Sequence, residues 1–197
     1  MLKKNQKVAI YMEGHIYSEY GKMGMGVLRY LENKIVCVID SKYSKTNISD
    51  HYPNLEPVPI VNNLESAIQL KAEVLILGIA PSGGKVPSDW YPVIKMALSK
   101  GLSIINGLHD LLQNRFNNLI SKKNQWIWDV RVPNFVPEIA TGKAAKLNNK
   151  RLLMIGTDMA CGKMTTALEV LTWSKQNKLE SGFIATGQIG ITITGDG

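Results

Sequence analysis

The chain is predicted to be an α/β protein of two units in tandem, and three observations carry that reading. Short apolar runs, KVAIYM at 7–12, IVCVI at 35–39 and EVLIL at 73–77, alternate with stretches in helical spacing at 23–31 and 88–99; this is how strands buried on both faces of a parallel sheet read. Several runs end in loops carrying Gly, Asn or Asp, where open α/β sheets place ligands. Finally, residues 151–166, RLLMIGTDMACGKMTT, read as a strand, a glycine-bounded loop ending in Gly-Lys, and the start of a helix. The expected organisation is a Rossmann-like domain with a parallel sheet over 1–135, a linker at 136–150, and over 151–197 the first part of a P-loop NTPase-like α/β domain that is C-terminally incomplete.

Taken in order, strand 7–12, helix 23–31 and strand 35–39 with Asp40 at its end outline a Rossmann-like opening unit. Gly21, Gly24 and Gly26 do not make the dinucleotide fingerprint and come about nine residues after the strand, so nicotinamide binding is a weak reading. Asp40 stands where a ribose-binding acid would, but the turn-forming role is favoured. Residues 41–57 are read as an exposed polar loop, 59–61 as a short strand, 64–70 as a helix and 73–77 as a strong buried strand. In the loop GIAPSGGK that follows, Gly83, Gly84 and Lys85 are candidate anion holders, although a glycine pair before a helix also serves a turn. Helix 88–99 has Ser88 as its N-cap candidate and Gly101 as its stop. Strand 102–105 leads into Asn106-Gly-Leu-His109-Asp110 and a helix over 110–120. His109 is a candidate acid-base group at a strand end; the competing reading has Asp110 capping the helix while His109 packs. His15 and His51 fall in polar loops without obvious partners. The first unit closes on the alternating strand WIWDVR at 126–131, giving about five strands.

The phosphate loop is the most informative stretch. Its candidate binding residues are Gly156, Thr157, Asp158, Met159, Ala160, Cys161, Gly162, Lys163, Met164, Thr165 and Thr166. Glycine lets backbone N–H groups turn onto an anion, the helix N-terminus adds partial positive charge, and Lys163 adds a full one. A glycine-rich turn can also exist for packing alone. Where such loops usually carry a Mg²⁺-binding Ser or Thr, this one has Met164, whose thioether is a poor magnesium ligand. Each helical step turns a side chain by roughly 100°, so neither Thr165 nor Thr166 inherits that position automatically. Phosphate binding is therefore better supported than ATP hydrolysis. A strand is expected around 183–185 and a glycine-rich turn after it. One crossover cannot cover both faces of a parallel sheet, so a longer natural protein is expected. In isolation this piece should be inactive, with an edge near 182–194 that is sticky or disordered.

Composition bounds the remaining classes. Of 197 residues, 45% are hydrophobic and 20% charged, which is ordinary for a soluble globular protein. There is no apolar run of the ~20 residues needed to span a bilayer and no secretory leader pattern, so a cytoplasmic location without membrane association is expected. The charge of +7 is scattered over the chain without a basic stripe, which argues for anionic small molecules rather than nucleic acid. Cys37 and Cys161 are read as reduced thiols, Cys161 as a loop-packing residue before a nucleophile. No metal-ligand spacing is visible. Self-association into a homo-oligomer is left open.

Two resemblances sharpen this. GTDxxxGK, with five residues between Gly156 and Gly162, resembles the loop of dethiobiotin-synthetase-like NTPases. The set GLHD, IWDVR, GTDMACGKMTTALEV and ATGQIG resembles the D-glutamate N-acetyltransferase-like family, formerly domain-of-unknown-function family 1611, over essentially all 197 residues. That resemblance implies a Rossmann-like domain followed by a P-loop domain, and acetyl transfer from acetyl-CoA to the amine of D-glutamate or a similar amino acid. It covers Gly156, Thr157, Asp158, Gly162, Lys163, Thr165 and Thr166, and further on Gly187, Gln188 and Gly190, with Gln188 a second-site candidate. Asn106, His109, Asp110, Asp129 and Arg131 match motif positions with no role attached. Coenzyme A offers phosphates that a P-loop can hold without Mg²⁺ turnover. The alternatives are an ATP-dependent ligase or kinase using ATP with Mg²⁺, and a non-catalytic nucleotide-binding regulatory module.

Overall fold

The computed structural model describes residues 2–133, 135, 136, 138–158 and 161–195. It divides into two compact units, Met1–Arg131 with Ala185–Gly197, and Val132–Ile184. The first contains β1 (Val8–Tyr11), α1 (Lys22–Tyr30), β2 (Ile35–Ile39), α2 (Ile48–His51), β3 (Ile60–Val61), α3 (Leu64–Gln69), β4 (Val74–Leu77), α4 (Tyr91–Ser99), β5 (Ser103–Asn106), α5 (Leu112–Phe116) and β6 (Ile127–Asp129). Helix α6 (Lys163–Gln176) belongs to the second unit, and α7 (Gln188–Thr194) returns to the first.

The first unit is built on a six-stranded sheet of order β3-β2-β1-β4-β5-β6. All pairs are parallel, and this is the Rossmann strand order. The strand residues divide by period two. Ala9, Tyr11, Cys37, Ile39, Leu75 and Leu77 pack on one face with α3, α4 and α5. Val8, Ile10, Val38, Val74 and Ile76 pack on the other with α1, α2 and α7. Burial on both faces is why β1 and β4 are apolar at every position. It also pushes the Cys37 thiol up to about 12, which makes it an inert core group. Register brings Tyr11 level with Ile39 and Leu77, so the carboxyl ends of the central strands form one edge.

Several expected elements differ. Ser88 opens a short 3-10 turn, Ser88–Trp90, without a side-chain cap bond, and α4 starts only at Tyr91 with Pro at its first turn. The helix expected over 110–120 is a five-residue α5 followed by a 3-10 turn. Residues 41–57 are not a plain loop: Asp40 caps a 3-10 turn, and Asn47 and Asp50 form a capping box around α2.

Two further differences concern the chain after residue 150. Residues 151–155 and 183–185 form no strands. A strand exists through its pairing, and no neighbouring strand is present among the described residues; Leu153 is 80% exposed, Ile155 82% and Ile184 83%. The expected buried strand at 151–155 is therefore absent: an apolar run without a hydrogen-bonding neighbour stays exposed. Residues 188–194 form a helix although Ile and Thr favour strands. Packing of Ile189 and Ile191 into the core beside α1 overrides that propensity. Residues 185–195 cluster with the first compact unit.

One close approach fixes where α1 sits. The Gly24 N–H donates to the Gly78 carbonyl at 2.8 Å, so the first turn of α1 rests directly on the end of β4. A Cβ at Gly78 would lie 2.6 Å from Ile10 Cγ2 and 3.0 Å from Gly24 Cα. Because one neighbour is backbone, Gly78→Ala is expected to destabilise the unit by about 2 kcal/mol through overpacking, read as a lower midpoint in urea unfolding.

Candidate functional site

The carboxyl edge of β5 and β6 gathers five residues that the sequence singled out. Asn106 and Asp129 are register partners on adjacent strands, 0% and 5% exposed. Asn106 Nδ2 donates to Asp129 Oδ1 at 2.8 Å and to the Asp110 carbonyl at 2.7 Å, while its Oδ1 accepts from Leu108 N at 3.0 Å. The two Asp129 oxygens also accept from Leu112 N at 3.1 Å and Gln113 N at 3.0 Å. Thus Asp129, from the neighbouring strand, caps α5; Asp110 does not. Asp110 Oδ2 instead accepts from Val86 N at 2.6 Å, tying the loop after β4 to the turn after β5.

Gly83, Gly84 and Lys85 lie on that loop. Gly84 accepts from His109 N at 2.8 Å, and a Cβ there would meet His109 Cδ2 at 2.4 Å, so the imidazole lies directly on the glycine. Gly84 therefore has a packing role here, Gly83 turns the chain at φ 77° with nothing near the place of its Cβ, and the Val86 amide beyond Lys85 is already taken by Asp110. His109 itself is exposed, with no ring-nitrogen hydrogen bond among the described residues. Arg131 Nε donates to the Gly107 carbonyl at 2.8 Å, and its Nη2 donates to Gln188 Oε1 at 2.9 Å. Gln188, at the first position of α7, thereby joins the same edge.

The edge beyond β1 and β2 is arranged differently. Met12 fills the space at the first turn of α1, its Sδ 2.4 Å from where a Gly24 Cβ would be; a dinucleotide fingerprint leaves that place open for a pyrophosphate. Asp40 is fully buried, and its Oδ1 accepts from Lys42 N at 3.1 Å, the turn-forming role. Its Oδ2 has no partner among the described residues. His15 and His51 do have partners, Ser18 for the first and Tyr17 and Thr46 for the second. Tyr17 is 34 residues from His51, so no local spacing could have announced the pair; the density of Tyr, Thr and His within 43–52 was the available signal.

The second unit carries the phosphate loop. Gly162, at φ 94°, is the N-cap of α6, a 14-residue helix whose first residue is Lys163. Lys163 Nζ folds back to donate to the Asp158 carbonyl and lies 3.3 Å from Cys161 Sγ. Cys161 Sγ donates to the same carbonyl at 3.1 Å. Thr166 donates its hydroxyl to the Gly162 carbonyl at 3.1 Å, inside the helix. Gly156 closes against Cys161, while Thr157, Met164 and Thr165 flank the loop; Met159 and Ala160 lie outside the described residues. This donor set suits an anion: an exposed helix N-terminus, one mobile ammonium and no hydroxyl directly after the lysine. In the connector, Arg151 Nη1 holds the Ala144 and Leu147 carbonyls around the 3-10 turn Lys143–Lys146.

Among the described residues no group of three or more His, Cys, Asp or Glu is placed to hold a metal ion, and no helix is long and apolar enough to cross a membrane.

The hydrogen bond from the Lys163 ammonium is the main cause that holds the exposed Cys161 thiol below its usual range. Removing the ammonium removes the larger cause, so Lys163→Met should raise the Cys161 pKa. The alkylation rate of Cys161 by iodoacetamide at neutral pH should then fall, with its pH profile displaced upward.

Comparison with known proteins agrees with this architecture. Residues 42–133 match DUF1611_N, a domain of unknown function described as a Rossmann-like domain, and residues 138–197 match DUF1611, described as a P-loop domain. A protein of Pseudoalteromonas sp named D-glutamate N-acetyltransferase is 42% identical over 134 residues, which are 66% of this chain and 40% of that protein. One of the same name from Tritonibacter scottomollicae is 40% identical over 136 residues, 68% of this chain and 40% of that protein. A crystal structure of a DUF1611 family protein from Anabaena variabilis, 42% identical, superposes with a TM-score of 0.92 over 98% of this chain and 57% of that one. The matches thus span about two fifths of the curated relatives' length. With both domains matched in order and the fold shared, the chain belongs to the DUF1611 family.

Proposed function

We propose that the full-length protein is an N-acetyltransferase that moves acetyl from acetyl-CoA to the amine of D-glutamate or a similar amino acid. The observation that carries this reading is the phosphate loop without a magnesium hydroxyl, in a chain whose relatives at 40% and 42% identity are named D-glutamate N-acetyltransferase. The loop residues fit coenzyme phosphates in kind. The α6 N-terminus and Lys163 Nζ bind anions without metal, Met164 supplies no Mg²⁺ oxygen, and the Thr166 hydroxyl is committed to the Gly162 carbonyl. In the folded loop Lys163 donates to the Asp158 carbonyl; an arriving phosphate exchanges that neutral acceptor for a charged one.

The coenzyme would supply a thioester acyl group; this chain's part is to hold its phosphates and to keep the donor in place. The amine must lose a proton to attack, and His109, exposed at the β5 edge, is the candidate base.

The test is a product assay on the full-length protein with acetyl-CoA and D-glutamate. Free CoA thiol should appear mole for mole with N-acetyl-D-glutamate, without ATP or Mg²⁺. Lys163→Ala should raise the KM for acetyl-CoA about tenfold or more, the loss of one charge-assisted contact. Production of ADP from Mg²⁺-ATP with an amino acid substrate, and no thiol release, would overturn the reading in favour of a ligase or kinase.

A further inference from the structure

A second group of polar and aromatic side chains lies on the segments that follow β1 and β2, apart from the β5–β6 edge. Its centre is His51, the last residue of α2, both of whose ring nitrogens are engaged. Nδ1 is 2.5 Å from the Tyr17 hydroxyl, and Nε2 is 2.9 Å from Thr46 Oγ1. The directions of these bonds follow from a third. The Thr46 hydroxyl donates its only hydrogen to the Tyr43 carbonyl at 2.6 Å. Thr46 Oγ1 must therefore accept from His51, which places the ring hydrogen on Nε2 and leaves Nδ1 of the neutral ring as an acceptor. The Tyr17 O–H donates to it. A hydroxyl, a base facing that hydroxyl and a third group fixing the tautomer of the base constitute the arrangement of a base-assisted nucleophile.

The surroundings hold this arrangement and leave one end open. The Asn47–Asp50 capping box fixes the short helix that carries His51. Tyr52 donates its hydroxyl to the Ile16 carbonyl at 2.9 Å, which pins the Tyr17 loop beside that helix. Tyr43 meets the Tyr17 ring edge-on with centroids 5.2 Å apart, and Tyr52 lies 5.7 Å away at a tilt. The Lys42 ammonium sits 5.2 Å from the Tyr43 ring. Tyr17 itself remains 55% exposed. A structural tyrosine would bury its polar end or leave it to water; here the phenol faces solvent while its hydrogen is given to an oriented imidazole.

We propose that Tyr17 is a nucleophile assisted by His51 and positioned by Thr46, reactive toward activated acyl groups such as thioesters, aryl esters and acyl-imidazoles. The Tyr17 oxygen forms a bond to the acyl carbon as its proton passes to His51 Nδ1. The bond from that carbon to the leaving group breaks, and the departing group takes the proton back from Nδ1. An O-acyl tyrosine and a neutral His51 remain. The proposal does not rest on the acetyltransferase reading of the full-length protein.

N-acetylimidazole at low excess, with acetylated peptides followed by mass spectrometry, provides the test, because tyrosines outside this cluster, Tyr30 and Tyr91 among the seven, serve as internal references. Exposure alone already predicts that Tyr17 leads, so the order of labelling is not the criterion; dependence on His51 is. His51→Gln should slow Tyr17 acetylation about tenfold or more while Tyr30 and Tyr91 keep their rates. Thr46→Val should slow it in the same direction, and Thr46→Ser, which keeps the hydroxyl, should restore it. An unchanged Tyr17 rate in His51→Gln with unchanged references would overturn the proposal. Should His51→Gln alter the references too, the Thr46→Val and Thr46→Ser pair decides: equal Tyr17 rates in the two would overturn it.

Discussion

The carboxyl edge of the sheet depends on one buried pair, Asn106 and Asp129, facing each other across β5 and β6. A buried carboxyl group without donors is costly, and here its two oxygens receive three, one from Asn106 and two from the first turn of α5. Asn106 divides its amide between Asp129 and the Asp110 carbonyl. Asp110 in turn holds the loop after β4 through Val86. Two connections, after β4 and after β5, are thus set by a short chain of polar contacts in addition to the packing of Val86, Leu108 and Leu112. His109 and Arg131 are displayed from a frame that this chain of contacts defines.

The other half of the edge is organised by apolar contact. Gly24 and Gly78 let α1 approach β4 to hydrogen-bonding distance, and Met12 fills what a nucleotide-binding turn would keep empty. The Rossmann strand order is therefore present while the space at the head of α1 is used for packing. Fold and ligand separate at this point. The loops beyond, freed from that task, carry the aromatic cluster around Tyr17 and His51.

Much of this was legible in the chain itself. β1, β2 and β4 announced themselves as apolar runs, since burial on both faces leaves no alternation, whereas β6 was legible from its alternating aromatic pattern. The motif residues Asn106, Asp110 and Asp129 were visible too, but not their assignments. Asp110 precedes a helix and looks like its cap, whereas the cap comes from Asp129 on the next strand, a choice that only tertiary geometry makes. Residues 151–155 illustrate the opposite failure: the composition of a strand without a neighbour to pair with. Over 188–194 the glycines suggested a turn, and docking beside α1 made a helix. The Tyr17–His51 pair escaped because its members belong to loops on different strands.

The organising role of the buried pair is measurable directly by amide hydrogen exchange in Asp129→Ala. If Asp129 anchors the edge, protection at Leu112 and Gln113 should fall by about tenfold or more, with Leu108 and Val86 following as Asn106 and Asp110 lose their alignment. Amides between β1 and β2 should be unaffected. Unchanged protection at Leu112, Gln113 and Val86 would contradict the account and return the edge to packing alone.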